Sequence, residues 1–246
     1  MTLGPPLHEQ VAALTWLQSL RLAPDLVTPG AKPEATLEAE AEALFGPLPL
    51  MGMTLLEIGA GNGGFSLAAL RRGAVSAVVT DHLAWSLPGA EAGMATMLAL
   101  EATGAPAQAM VLDPRALTPE FGRFDLVLGT AFFEQLFNPI LALRGMSSVT
   151  GQVLLLETAQ AALDEARPML TATTRPMPYG ALVSGWAPNP ALMGPLLRDL
   201  GFVRVLHRAH PIEGAARGLY AAFKPDAAAG LAAGFGAPWR ELAMPA

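Results

Sequence analysis

There is no cysteine among the 246 residues. Disulfides, thiolate nucleophiles and cysteine-ligated metals are thereby excluded. The four histidines, His8, His82, His207 and His210, form no compact ligand motif, so no metal site is assigned. Lysine is almost as scarce: Lys32 and Lys224 stand alone, and the arginines cluster nowhere beyond Arg71-Arg72. That pair falls at the end of an expected helix, where cations suit the negative end of the helix dipole. With a formal net charge of −6 and no basic stripe to offset several phosphates, nucleic acid is a poor expected partner, and a small molecule is expected instead. No run approaches the roughly 18 uninterrupted apolar residues of a membrane span. Met1 to Gln10 lacks the basic start and apolar stretch of a secretory signal, so a cytoplasmic protein is expected.

What the chain does have is apolar residue, 52% of the total, enough for a central sheet covered on both faces. Three regions are expected: an N-terminal helical extension over 1–50, an α/β domain over 51–224 and a tail over 225–246. Leu7 to Leu20 has a helical apolar pattern in Val11, Leu14, Trp16, Leu17 and Leu20, stopped by Pro24. Glu34 to Phe45 forms a second helix, ended by Gly46-Pro47. From Met53 onward strands and helices alternate: strand 54–58, helix 64–72, strand 76–80, helix 89–103, strand 108–112, strand 124–129, helix 138–147, strand 152–157, helix 190–200, and strands 202–208 and 217–223. Strands separated by helices argue for a parallel, doubly wound sheet. The last two strands have no room between them for a crossover helix and must be antiparallel. The Ala-, Gly- and Pro-rich tail is expected as a weak helix or as disorder.

The segment Leu55-Leu56-Glu57-Ile58-Gly59-Ala60-Gly61-Asn62-Gly63-Gly64-Phe65 reads as a buried strand running into a glycine turn and then a helix. Glycines remove Cβ atoms where backbone must turn sharply against a ligand, and the following helix offers unpaired N–H groups there. A nucleotide-like cofactor is implied. Gly59, Gly61 and Gly64 also satisfy the G-x-G-x-x-G spacing of dinucleotide-binding folds. Glu57 argues otherwise, because a carboxylate ending the first strand suits a ligand bearing an amine and a sulfonium better than a pyrophosphate. Asp81 closes the next strand and can accept two ribose hydroxyls, which serves either cofactor. The following steps discriminate: Val111-Leu112-Asp113 ends a third strand and Phe124-Asp125-Leu126-Val127-Leu128-Gly129 forms a fourth, in the order and spacing of class I S-adenosylmethionine (SAM) methyltransferases.

The resemblance narrows on further segments. Leu26-Val27-Thr28-Pro29-Gly30, Arg72-Gly73-Ala74-Val75-Ser76 leading to Thr80-Asp81, Phe124-Asp125-Leu126-Val127, Asn138-Pro139-Ile140-Leu141-Ala142-Leu143 and Leu155-Leu156-Glu157-Thr158 together resemble the methyltransferase-like family that includes the enzyme modifying 5-hydroxyuridine at the tRNA wobble position. The likeness covers roughly residues 26–206 and implies a Rossmann-like, seven-stranded, mostly parallel sheet with one C-terminal antiparallel strand and helices on both faces. Where that family carries Tyr-His before its Asn-Pro or Asp-Pro step, this chain has Glu134-Gln135. The resemblance therefore carries over ordinary SAM binding, with S-adenosylhomocysteine (SAH) as product, rather than a tRNA substrate or a carboxylated cofactor.

By this resemblance the backbone of Gly59, Ala60, Gly61, Asn62 and Gly63 lines the methionine and ribose portions, and Asp81 holds the ribose hydroxyls. His82 or Leu83 flanks adenine; Asp113 accepts from its amino group, with the Leu112 backbone beside it. Glu57, Gly129, Thr130 and the Glu157-Thr158 step face the same crevice at the carboxyl ends of the strands. Candidate bases for deprotonating an acceptor are Glu134 and Glu157. The alternatives are an exposed acid on a short helix 131–136 for Glu134, and a loop hydrogen bond for Glu157. His207 and His210 are expected in surface or structural roles. The stretch from Pro168 to Pro188, with Arg167 and Arg175 as possible anion ligands, is expected as a long substrate-contacting loop or a cap. The expected chemistry is methyl transfer to oxygen, nitrogen or carbon of a small metabolite.

Overall fold

The computed structural model of the chain describes residues 4–86, 91–176 and 182–243. In chain order its helices and strands are α1 (Leu7–Ala12), β1 (Arg21–Ala23), β2 (Leu26–Val27), α2 (Glu34–Phe45), β3 (Thr54–Ile58), α3 (Gly64–Arg71), β4 (Ser76–Asp81), α4 (Leu83–Ser86), α5 (Ala92–Thr103), β5 (Ala107–Val111), β6 (Phe124–Thr130), α6 (Pro139–Val149) and β7 (Thr150–Ala159). They continue with β8 (Leu170–Pro176), β9 (Leu182–Pro188), α7 (Pro190–Asp199), β10 (Arg204–His210), β11 (Gly214–Phe223), α8 (Pro225–Leu231) and β12 (Arg240–Glu241).

The central strands are apolar on both faces because both are covered. Successive side chains of a strand point to opposite sides, so Leu55, Leu128 and Leu155 join one core cluster with Leu44, Phe65 and Ala68 of α2 and α3. Leu56, Val127 and Leu156 join the other, with Leu143 and Met146 of α6 and Leu197 of α7. The strand order is β12-β10-β11-β7-β6-β3-β4-β5. From β7 to β5 neighbours are parallel, while β11 is antiparallel to both β7 and β10. The chain leaves β3 toward β4 and β5, then returns to β6 on the other flank, so the order reverses between β3 and β6. Ligands of open α/β sheets bind beyond the carboxyl ends at such a reversal.

The sheet has eight strands rather than seven, because the tail supplies β12, which pairs antiparallel with β10. Tail aromatics explain why it folds back: Phe235 packs edge-on against Phe223 at 5.3 Å and against Trp239 at 5.0 Å.

The N-terminal extension also departs from expectation. The helix stops at Ala12 instead of reaching Leu20, because the donors beyond it go to tertiary partners. Leu17 N and Gln18 N donate to Asn62 Oδ1 at 2.6 and 3.2 Å, and Leu20 N donates to Thr28 Oγ1 at 2.8 Å. Gly30 of the Thr-Pro-Gly step lies against this strap so closely that a Cβ would sit 2.0 Å from the Gln18 carbonyl carbon. The region from Pro168 to Pro188 contains a hairpin, β8 with β9, forming a separate two-stranded sheet. Gly185 of that hairpin rests on the backbone of Glu134, where a Cβ would meet the carbonyl oxygen at 1.5 Å. Within this stretch residues 177–181 lie outside the described residues, as does the side chain of Arg175. Residues 89–90 of the expected helix 89–103 do too.

Because Phe235 fills the angle between β11 and the tail, Phe235→Ala should lower unfolding stability by about 3 kcal/mol. Denaturant titration checks this, and an unchanged midpoint would mean that the tail contributes nothing to the core.

Candidate functional site

The β3–β6 reversal is shaped by backbone that tolerates no side chain. Gly59, at φ +78°, has its Cα so near Thr130 that a Cβ would lie 2.2 Å from the Thr130 carbonyl oxygen. Gly61 and Gly63 are also left-handed, at φ +59° and +78°, and Gly63 leads into α3. Ala60 is buried and its N–H donates to Thr80 O at 3.0 Å. Asn62 faces away from the turn's open side, holding the strap through Oδ1 and donating to Ala92 O at 3.2 Å. Gln18 returns the contact: its Oε1 accepts from Asn62 N at 3.3 Å and Gly64 N at 3.0 Å. Thus α3, which has no side-chain cap of its own, is capped from the N-terminal extension.

Beyond this turn opens a cavity of about 450 Å³. Gly59, Gly61, Asp81, His82, Thr130 and Glu157 line it. Asp81 accepts from Gly61 N at 3.0 Å and Ala84 N at 2.8 Å. Burial raises its carboxyl above the usual range, opposed by those backbone donors. Leu83, Ala84 and Pro114 continue the wall on that flank.

Other residues assigned from sequence are not among those lining the cavity. Glu57 lies behind the glycine turn, fully buried, with Oε2 accepting from Ser66 N at 3.0 Å and from the Ser66 hydroxyl. Its Oε1 has no partner. The carboxylate thus faces α3 rather than the space for a ligand's amine or sulfonium. Desolvation pushes its pKa up to about 7, with Ser66 opposing and Asp81 adding to the rise. Asp113 caps a short 3-10 turn and pairs with Arg115, with His82 Nε2 at 3.8 Å. The Arg115 hydrogen bonds hold its carboxyl below the usual range. Leu112 N donates to Asp81 O at 3.4 Å, tying this segment to β4. Gly129 admits Phe132 and Met146 where a Cβ would clash.

The two candidate bases share one cation that sequence reasoning missed. Arg217, on β11, is 5% exposed and lies between Glu134 and Glu157. Its Nη2 is 2.6 Å from Glu134 Oε1, and its Nε donates to Glu157 Oε1. At this distance the Nη2 contact is a close buried ion pair. Glu157 Oε2 also accepts from Ala131 N at 3.0 Å, and Glu134 Oε2 from the Thr158 hydroxyl at 3.0 Å. Glu134 is therefore no exposed acid, and the expected helix 131–136 shrinks to a 3-10 turn at Phe133–Gln135. Ala131 before it takes φ +52°, an uncommon conformation for a residue with a Cβ.

A second cluster closes the cavity on the α2 side. Lys32 Nζ is 2.5 Å from Glu40 Oε2, and His210 Nε2 is 3.4 Å from Glu40 Oε1. Burial would raise Glu40; the His210 hydrogen bond and the Lys32 ammonium outweigh it and leave the carboxyl below its usual range. His210, expected in a surface or structural role, is buried in the cavity wall. The His207 ring packs tilted against Tyr220 at 4.8 Å between centroids, and burial lowers its pKa to about 4. Arg167 is exposed and pairs with Glu165. Arg72 pairs with Glu38 and Glu42 at the end of α3. Among the described residues no group of three His, Cys, Asp or Glu could hold a metal ion, and no helix is long and apolar enough to cross a membrane.

A mostly parallel sheet, a glycine turn after its first long strand and an acid ending the next make a Rossmann-like fold. Solved structures share it. The N-terminal domain of EvdMO1, crystallised in the presence of SAH and D-fucose, matches with a TM-score of 0.66 at 18% identity, covering 88% of this chain and 94% of that one. Magnesium protoporphyrin IX methyltransferase (ChlM) from Synechocystis PCC 6803 with bound SAH matches at 0.56 and 17%, covering 77% and 82%. The glycopeptide N-methyltransferase MtfA complexed with SAH matches at 0.55 and 14%, covering 76% and 89%. At these identities the likeness is one of fold. No family model and no curated protein matches the chain.

The buried Glu57 gives a pH signature. Its folded pKa, about 7, exceeds the usual 4.5, so its contribution is intact below about 4.5 and is lost as pH rises through 7. Glu57→Gln should remove this loss, shifting the stability difference between variant and wild type by on the order of 3 kcal/mol across that window. Urea unfolding at pH 4.5, 6 and 7.5 measures it; a pH-independent difference would refute the assignment.

Proposed function

We propose that the protein is a SAM-dependent methyltransferase acting on oxygen, nitrogen or carbon of a small metabolite. The observation that carries this reading is the buried Asp81 carboxylate in the wall of a cavity whose adjoining lip, the Gly59–Gly61 backbone, admits no Cβ at Gly59. The residues present fit the cofactor. Asp81 has lone pairs for two ribose hydroxyls, His82, Leu83 and Pro114 offer a flank for adenine, and the glycine turn leaves room for a thioether chain. When bound, SAM supplies a methyl group on an electrophilic sulfonium. The chain's own task is to align the acceptor and handle its proton.

Glu157 is the residue for the proton. It reaches the cavity wall, and Arg217 with Ala131 N fixes its orientation. A carboxylate held in this way accepts a hydrogen bond from an acceptor hydroxyl or amine and takes its proton as the methyl group is transferred. Glu134, behind Arg217, positions the guanidinium rather than touching an acceptor. An acceptor rich in hydroxyl or amine donors suits this wall, and D-fucose in the EvdMO1 crystals is a molecule of that kind. Kinship with the wobble-uridine family extends, on this reading, to fold and cofactor and not to tRNA. Asp113, paired with Arg115, can turn one oxygen toward an adenine amino group beside Leu112.

Calorimetric titration with SAH, with NADH as control, tests the cofactor. Wild type should bind SAH and not NADH, and Asp81→Ala should weaken SAH by about a hundredfold or more. Binding of NADH alone would overturn the proposal in favour of a dinucleotide. Glu157→Gln should retain SAH affinity while SAH formation over an acceptor panel falls by about a hundredfold or more. Unchanged turnover would remove Glu157 from the mechanism, and no turnover by wild type on any acceptor would favour a non-catalytic SAM-binding protein.

A further inference from the structure

The cavity has two flanks. Asp81 and His82 belong to the side of β4, next to β3 in the sheet; His210 belongs to β10, on the far side of β3. Lys32 and Glu40 reach the cavity between these, from the N-terminal extension. The Lys32 ammonium lies 5.6 Å from the centroid of Phe65, a residue of the first turn of α3, which places it beside the glycine turn. Among the described residues lining the cavity, Lys32 is the only lysine or arginine.

The pair is built to be opened. Glu40 is 4% exposed and held at both oxygens, whereas the Lys32 side chain is 36% exposed and held at its tip by Glu40. His210 keeps Glu40 in place independently of Lys32. Its Nδ1 accepts from Ile212 N at 3.2 Å and Glu213 N at 3.0 Å, which leaves the ring proton on Nε2, directed at Glu40 Oε1. The Lys32 ammonium can therefore leave Glu40 Oε2 without stranding that carboxylate, provided another cation takes its place.

We propose that Lys32, Glu40 and His210 form the subsite for the amino-acid end of the cofactor: the Lys32 ammonium binds the α-carboxylate, and Glu40, anchored by His210, binds the α-ammonium. This rests on the cofactor reading above. The single Lys–Glu pair becomes an alternating row of four charges, each beside its opposite, so no buried charge is left alone. The subsite reads the part of the ligand that distinguishes an amino-acid thioether from a bare nucleoside thioether. It also ties the N-terminal extension to β10 through the ligand.

The test compares SAH with 5′-methylthioadenosine, which keeps the adenosine and sulfur but lacks both amino-acid charges. Calorimetry is run on the full chain as wild type, Lys32→Met, Lys32→Arg and Glu40→Gln, with thermal melting to verify folding. Lys32→Met should weaken SAH by about tenfold to a hundredfold and leave 5′-methylthioadenosine within twofold. Glu40→Gln should show the same selectivity, and Lys32→Arg should retain most SAH affinity. Equal weakening of both ligands, or of neither, would overturn the subsite. A Lys32→Met variant with normal SAH affinity and a raised acceptor KM would reassign the lysine to the acceptor. Should wild type bind the nucleoside thioether and SAH equally, the subsite fails while the cofactor reading stands; should it bind neither, the cofactor reading itself fails.

Discussion

The site depends on the approach of two parallel strand ends at the point where strand order reverses. Gly59 lies against the carbonyl of Thr130, and this contact sets the lip of the cavity, the path of the glycine turn and the start of α3. Everything chemically active is measured from there. Asp81 meets the turn from β4 through Gly61 N and Gln18 meets it from the N-terminal strap through Gly64 N, while Glu157 of β7 holds the facing end of β6 through Ala131 N. Three separate parts of the chain thus converge on the two facing strand ends, each through a backbone donor. An added methyl group at Gly59 would have to separate the strands.

Charge is arranged around this turn in closed groups. Glu57 is shielded behind it, where Ser66 satisfies one oxygen. Arg217 gathers Glu134 and Glu157, and Glu40 gathers Lys32 and His210. A buried ion pair contributes little net stability but punishes removal of either member, because the remaining charge cannot find water. These groups therefore fix orientation more than they add stability. Glu157 is the member of its group that meets the cavity, and Lys32 is the member of the other that is most free to move.

Much of the fold was legible because strand and helix lengths in the core obey simple periodicities. The strands from 54–58 to 217–223 and the helices at 34–45, 64–72, 138–147 and 190–200 lie within a few residues of their expected ends. The glycine turn and the place of Asp81 beside it were legible, since only a few backbone conformations suit that spacing. What was illegible depends on partners distant in sequence. The segment 13–20 has helical periodicity, but Asn62 and Thr28 take its donors. Arg217 and His210 carry no local signal; they acquire roles because β10 and β11 bring them beside β7 and α2. Glu57 was read as facing a ligand, but strand alternation turns it toward α3. The hairpin β8–β9 was hidden by prolines that suit the ends of a two-stranded ribbon as well as a loop.

The cap on α3 comes from a residue more than forty positions earlier, and this bears on how the chain can be divided. Gln18 and Asn62 exchange hydrogen bonds in both directions, so the strap is ordered by the turn and the turn by the strap. Residue 50 looks like a natural seam in composition, yet a cut there separates the two parts of one cavity wall. In modular terms the first fifty residues are not an accessory that could be exchanged for another leader. A graft of the sheet domain alone would carry the glycines but lose the side chain that holds them in register, together with the lysine and glutamate of the cavity's far wall.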